Sequence, residues 1–125
     1  MPAPFDTAPL VIIVDDDPAV RAALAVTAEL DGYRVSTWAS GEDLLAKDLP
    51  GDRACLVIDE RLPGLSGLRT LAQLRHRGCR SPAVLITSHP SRRFIAAAAE
   101  ARVAVLEKPL LGDGLIGWIR GAAPK

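Results

Sequence analysis

LVIIV (10–14) runs straight into DDDPAVR (15–21), and the change of character at that junction decides the fold. Five consecutive apolar residues, mostly β-branched, suit a short strand covered on both faces, as in a parallel sheet. Asp17 followed by Pro18 then reads as a helix start, an acidic cap with proline in the first turn. The same strand-to-helix alternation recurs along the chain. Residues 54–58, 83–86 and 103–106 are further continuous apolar runs, expected to be covered on both faces. Residues 33–38 alternate more and suit a fifth strand nearer an edge.

Helical segments fall between these strands. Val20, Leu24, Thr27 and Leu30 can share one face of the first helix, which Gly32 ends. Ser40 with Asp43 forms a capping box ahead of Leu44 and Leu45, and Pro50-Gly51 ends that segment. Leu68, Leu71 and Leu74 place a third helix before Gly78. An alanine-rich fourth helix is expected over about 91–101, and a fifth over about 112–121, carrying Leu115, Ile116 and Ile119. Gly114 and Gly117 weaken the fifth by roughly 1 kcal/mol each relative to alanine. Five β-α repeats imply a doubly wound α/β domain with right-handed crossovers. Residues 1–9 read as a flexible N-terminal segment, 10–121 as the domain and 122–125 as a C-terminal tail.

The bulk properties narrow the function. At 125 residues and 49% hydrophobic the chain suits one globular domain with a single core, not a disordered segment. Fifteen Lys+Arg balance fifteen Asp+Glu, which removes the electrostatic case for direct nucleic-acid binding. The N-terminus lacks the pattern of a signal peptide, and the apolar runs are far too short to span a membrane. Cys55 and Cys79 form no CxxC pattern; Cys55 reads as a small buried hydrophobe. The cytoplasm is the expected compartment.

In an open parallel sheet, ligands bind beyond the carboxyl ends of the strands. There the sequence places Asp15, Asp16 and Asp17 after the first strand, Asp59 after the third, Thr87 and Ser88 after the fourth, and Lys108-Pro109 after the fifth. Asp15, Asp16 and Asp59 gathered in one cleft repel, and a hard divalent cation relieves that repulsion. Mg²⁺ suits carboxylate, carbonyl and water ligands, with positions left for phosphate oxygens. Lys108 adds a compact positive charge, Thr87 a hydroxyl, and a carboxylate in such company is a nucleophile towards phosphorus. Asp17 is best taken as a helix cap. Asp15 and Asp16 alone read equally as cap-and-turn or site, and the company of Asp59 and Lys108 favours the site. Thr87 alone can be a β-former with a local hydrogen bond, and Lys108 alone a solvated loop residue. His76 reads as part of a solvated helix end, and Trp38 and Trp118 as packing residues.

VIIVDDDPAVR (11–21), CLVIDERLPGLSGL (55–68), VLITSHP (84–90) and VAVLEKPL (103–110) together resemble the receiver domain of two-component response regulators, in its single-domain, chemotaxis-regulator-like form. The resemblance covers nearly the whole chain and implies a flavodoxin-like (βα)5 fold with a five-stranded parallel sheet in the order 2-1-3-4-5. It implies that Asp59 is the phosphorylated residue and that Asp15 and Asp16 are the metal-binding pair, Asp16 in direct contact with the ion. The backbone carbonyl of Arg61 then completes the coordination of Mg²⁺, with Mn²⁺ as an alternative. Thr87 matches the switch hydroxyl and Lys108 the lysine that contacts the phosphoryl group. A cis bond before Pro109 is also implied. His89, like Arg61, stands where the family modulates the rate of hydrolysis, although a purely structural role for His89 fits equally well.

Two departures concern readout. The family often has Tyr or Phe where this chain has Val105, and a glycine within the turn that here reads Ala101-Arg102-Val103. The expected function is phosphorelay: a sensor histidine kinase supplies the phosphoryl group, Asp59 takes it, and a conformational change signals onward. With the chain ending soon after its fifth helix, output is expected through a downstream protein partner, self-association as a homodimer, or transfer to a phosphotransfer protein. One rival is a phosphatase with an aspartate nucleophile, which expects Asp-x-Asp and a cap insertion. Another is a flavodoxin-like FMN-binding module, which needs a Ser/Thr/Gly-rich loop where this chain has three aspartates.

Overall fold

The computed structural model describes residues 8–48, 53–110 and 113–123. Strands β1 (Leu10–Val14), β2 (Arg34–Trp38), β3 (Ala54–Asp59), β4 (Ala83–Thr87) and β5 (Ala104–Glu107) alternate with helices α1 (Pro18–Leu30), α2 (Gly41–Leu45), α3 (Gly67–His76), α4 (Arg92–Glu100) and α5 (Gly114–Ala122). The strands form one parallel sheet in the order β2-β1-β3-β4-β5, so the doubly wound flavodoxin-like topology is the one observed. Most of the expected 1–9 segment, the Pro50-Gly51 stop, Gly112 and the last two residues lie outside the described residues.

Side-chain alternation along the central strands builds two cores. Ile12, Val14, Leu56, Ile58 and Leu85 face α2 and α3 through Leu44, Leu45, Leu71 and Leu74. Val11, Ile13, Cys55, Val57, Val84 and Ile86 face the other layer, where Ala28, Leu115 and Ile119 pack. Continuous apolar runs arise because both faces of β1, β3 and β4 are covered. Burial raises the Cys55 thiol pKa to about 11, which agrees with its reading as a buried hydrophobe.

Two expectations fail. The 103–106 run falls largely in β5, shifted by one residue to Ala104–Glu107, an edge strand whose end residues Ala104 and Glu107 are exposed. Its apolar residues are only partly covered: Val103 packs against one core and Leu106 against the other. In α1, Thr27 and Leu30 point outward, Leu30 being 84% exposed. The inward stripe is Leu24, Ala25 and Ala28, because alanine lets the helix approach the sheet closely. Among the described residues no helix is long and apolar enough to cross a membrane.

Three helices end in one pattern. After α1, Gly32 N–H donates to the Glu29 carbonyl and Tyr33 N–H to that of Ala28. After α3, Gly78 and Cys79 repeat this on Arg75 and Leu74; after α4, Arg102 and Val103 repeat it on Ala99 and Ala98. Such an ending needs a left-handed residue, supplied by Gly32 (φ 94°), Gly78 (φ 98°) and Arg102 (φ 56°). Arginine is strained there by about 1–2 kcal/mol, partly offset by the lower entropy of its unfolded chain compared with glycine. Arg102→Gly is therefore expected to stabilise the fold by about 0.5–1 kcal/mol, and Gly78→Ala to destabilise it by about 1 kcal/mol. Urea denaturation measures both; a destabilised Arg102→Gly would show that the arginine side chain outweighs its backbone strain.

Candidate functional site

Sheet register assembles the site. Val14 pairs with Ile58, so Asp15 and Asp59 leave neighbouring strands at the same level. Asp59 pairs with Ile86 and Thr87 with Glu107, which brings Thr87 and Lys108 to the same edge. Lys108 is anchored by its own N–H, which donates to the Thr87 carbonyl at 2.7 Å, and its bond to Pro109 is cis, as the resemblance implied.

The side chains converge. Lys108 Nζ lies 3.2 Å from Asp59 Oδ1 and 3.8 Å from Asp15 Oδ2. Asp15 and Asp59 are only 2% and 5% exposed, whereas Asp16 is open to solvent. One carboxylate oxygen from each of Asp15, Asp16 and Asp59 falls within 4.8 Å of the others. Burial pushes the Asp59 carboxyl above its ordinary pKa; the Lys108 hydrogen bond pulls it down, and the charges of Asp15 and Asp16 push it up. An oxygen-only donor set of three carboxylates at this spacing fits a hard divalent cation.

Local contacts hold these groups in place. Asp15 Oδ1 accepts from Asp17 N–H at 2.9 Å, and its carbonyl accepts from Arg21 Nη1 at 2.7 Å. Asp17 itself caps α1 through the N–H groups of Ala19 and Val20, the structural role read from the sequence. Behind Asp59, α3 begins so close that a β-carbon at Gly67 would lie 2.5 Å from the Asp59 carbonyl oxygen. Glu60 N–H donates to the Ile86 carbonyl, and Glu60 Oε1 accepts from Leu68 N–H at 2.8 Å. Burial raises the Glu60 pKa, opposed by that hydrogen bond and reinforced by the charge of Asp59.

The other expected residues form the rim. Thr87 is buried, and its hydroxyl lies 3.5 Å from the Ser88 carbonyl oxygen, the long limit of a hydrogen bond, so little holds it in place. Arg61 is exposed, and its Nη2 reaches the same Ser88 carbonyl at 3.3 Å, tying the loop after β3 to the loop after β4. His89, exposed and left-handed at φ 47°, stands on a ridge between two depressions. One, of about 560 Å³, is walled by Val20, Leu24, Lys108, Pro109 and Leu110; the other, of about 200 Å³, by Glu60, Arg61, Thr87, Pro90 and Phe94. Sequence reasoning passed over Arg21, Glu60 and Gly67. Only the Gly67 position carried a signal, a small residue at the start of a helix that follows the loop after β3.

Known proteins share this arrangement of elements. A model of the response regulator receiver domain family matches residues 11–120. The C4-dicarboxylate transport transcriptional regulatory protein DctD of Pseudomonas aeruginosa is 36% identical over 124 residues, 96% of this chain and 26% of that protein. The transcriptional regulatory protein FixJ of Azorhizobium caulinodans is 35% identical over 111 residues, 88% of this chain and 53% of that protein. The chain thus spans about a quarter to a half of the length of these relatives. The crystal structure of FixJ-N matches with a TM-score of 0.83 at 31% identity, over 93% of this chain and 94% of that one. The sheet order, the acidic strand ends and these likenesses agree: the chain belongs to the response regulator receiver domain family.

Proposed function

We propose that Asp59 accepts a phosphoryl group from a histidine kinase in a Mg²⁺-dependent reaction, Mn²⁺ serving in its place, and that the chain signals by changing conformation. The observation that carries this reading is Lys108 Nζ at 3.2 Å from the buried Asp59 carboxylate, in contact also with Asp15. In this reading residues 10–121 form the receiver, and it works in the cytoplasm.

The step is a displacement at phosphorus. A carboxylate oxygen of Asp59 bonds to phosphorus as the bond to the donor imidazole nitrogen breaks, and the imidazole departs. Asp15, Asp16, Asp59 and the Arg61 carbonyl would hold the metal, which neutralises charge on the transferring phosphoryl oxygens. Lys108 supplies a fixed positive charge beside the nucleophile, and Thr87, weakly held, is free to turn its hydroxyl towards the new phosphoryl group. Water clears the acyl phosphate later, at a rate that Arg61 and His89 on the rim would modulate. Both that hydrolysis and phosphorylation by small donors are the chain's own chemistry. A downstream protein, a second copy of the chain or a phosphotransfer protein receives the signal.

Three outcomes are expected. Intact-mass analysis after incubation with Mg²⁺ and a small phosphodonor should show one base-labile phosphoryl group on the wild type and none on Asp59→Asn. Uptake by Asp59→Asn at the wild-type rate would place the acceptor elsewhere.

The second outcome concerns stability without metal. The folded-state pKa of Asp59 is raised, so its contribution is fully present below the unfolded value, about 4, and is lost as pH rises through the folded value. Metal-free Asp59→Asn should thus be more stable than wild type at neutral pH, the gap closing in acid. Mg²⁺ at ten times its Kd should stabilise the wild type by about 1.4 kcal/mol, and Asp16→Asn should bind it more weakly. Thermal melts across pH check all three, and equal metal affinity in Asp16→Asn would sink the assignment of that residue.

The third outcome locates the switch. Amide chemical shifts with a phosphoryl mimic should move at 87–90 and at the start of α4, and little at Val105. The opposite pattern would place the readout on β5.

A further inference from the structure

The loop from Glu60 to Ser66 carries the Arg61 carbonyl, yet the sheet ladder ends before it. Its two ends are closed locally: Leu62 and Gly67 N–H groups donate to the Glu60 carbonyl at 3.1 and 3.0 Å, and Ser66 caps α3 through Arg69 N–H. The outer turn is held from outside. Leu65 N–H donates to Glu42 Oε2 at 3.1 Å, across 23 positions of sequence. A second feature of the same turn concerns the same oxygen. Gly64 has φ 78°, which favours glycine, and its missing β-carbon leaves room for Glu42 Oε2 in the position it takes here.

Glu42 is itself well placed to act as an anchor. It stands in the first turn of α2, whose start is capped by the Ser40 hydroxyl on Asp43 N–H at 3.1 Å. That turn is seated on α3, for a β-carbon at Gly41 would overlap Thr70 Oγ1. The α2 turn and the α3 helix therefore form one packed unit, and the Glu42 carboxylate reaches from it to the loop.

We infer that Glu42 is a positioning residue for the chemistry at Asp59. Its carboxylate fixes the outer turn of the acceptor loop, and through that turn the direction of the Arg61 carbonyl towards Asp15, Asp16 and Asp59. This role rests on the phospho-acceptor reading of the site. The hydrogen bond is exposed, so its contribution to overall stability is small, whereas a loop swinging freely would misplace a metal ligand.

Glu42→Ala and Glu42→Gln in the full chain separate placement from folding. Glutamine keeps an acceptor oxygen at the same reach, and alanine removes it. Metal-free hydrogen exchange at the Leu65 amide, Mn²⁺ affinity from water-proton relaxation, and phosphoryl uptake by intact mass are compared. Glu42→Ala should speed Leu65 exchange, weaken Mn²⁺ binding and slow phosphoryl uptake, each by about 3- to 10-fold. Glu42→Gln should stay within about twofold of wild type on all three. Glu42→Ala with wild-type Mn²⁺ affinity and uptake, whatever its melting temperature, overturns the positioning role alone. Glu42→Gln as impaired as Glu42→Ala also overturns it, because placement by the hydrogen bond would then not be what matters. A wild type that takes up neither Mn²⁺ nor phosphoryl overturns the reading of the site, and this role with it.

Discussion

Two carboxylates, Asp15 and Asp59, leave adjacent strands at the same level, nearly out of water, with the ammonium of Lys108 between them. A single parallel register imposes this meeting; shifting β3 against β1 by one residue would turn Asp59 to the other face. Without Lys108, Asp59 would keep a desolvated charge beside Asp15 and Asp16, and its carboxyl would rise further. The fold therefore carries a standing electrostatic cost at one edge of the sheet. The buried apolar faces of β1, β3 and β4 offset it.

Loops at this edge are held by backbone capture more than by packing. Asp15 captures Asp17, Glu60 captures Leu68, Glu42 captures Leu65, and Arg61 reaches across to Ser88. Each bond is modest, yet each fixes one segment next to the cleft. Thr87 is the exception: a buried hydroxyl with only a long local contact, on a loop that continues into the left-handed His89. The rigid parts surround the acids, and the loosely held part faces them.

Much of this was legible in the sequence. Buried strands announce themselves as apolar runs, and the acids and the lysine that follow them needed only the rule that parallel strands end together. The cap at Asp17 and the cis bond before Pro109 agreed as well. Illegible features depend on three-dimensional neighbours. Leu30 looked like a core residue by periodicity, yet the face of α1 that meets the sheet is the Leu24, Ala25 and Ala28 stripe, and Leu30 lies on the other side. The run at 103–106 looked fully covered, although the strand it falls in is exposed at both ends and only half-buried between them. The bond from Glu42 to Leu65 joins two segments whose adjacency is set by how α2 rests on α3, and no local pattern encodes that.

The left-handed arginine after α4 has a consequence for where the molecule opens. It introduces β5, the shortest strand, hydrogen-bonded on one side only and half-exposed on its faces. Subglobal unfolding concentrates at such margins, so amide protection should be poorest there and should rise inward through β4 to β3. Lys108 hangs from the end of that margin. Fraying of that single edge ladder would carry the cleft's ammonium away from two carboxylates that the central strands hold in place.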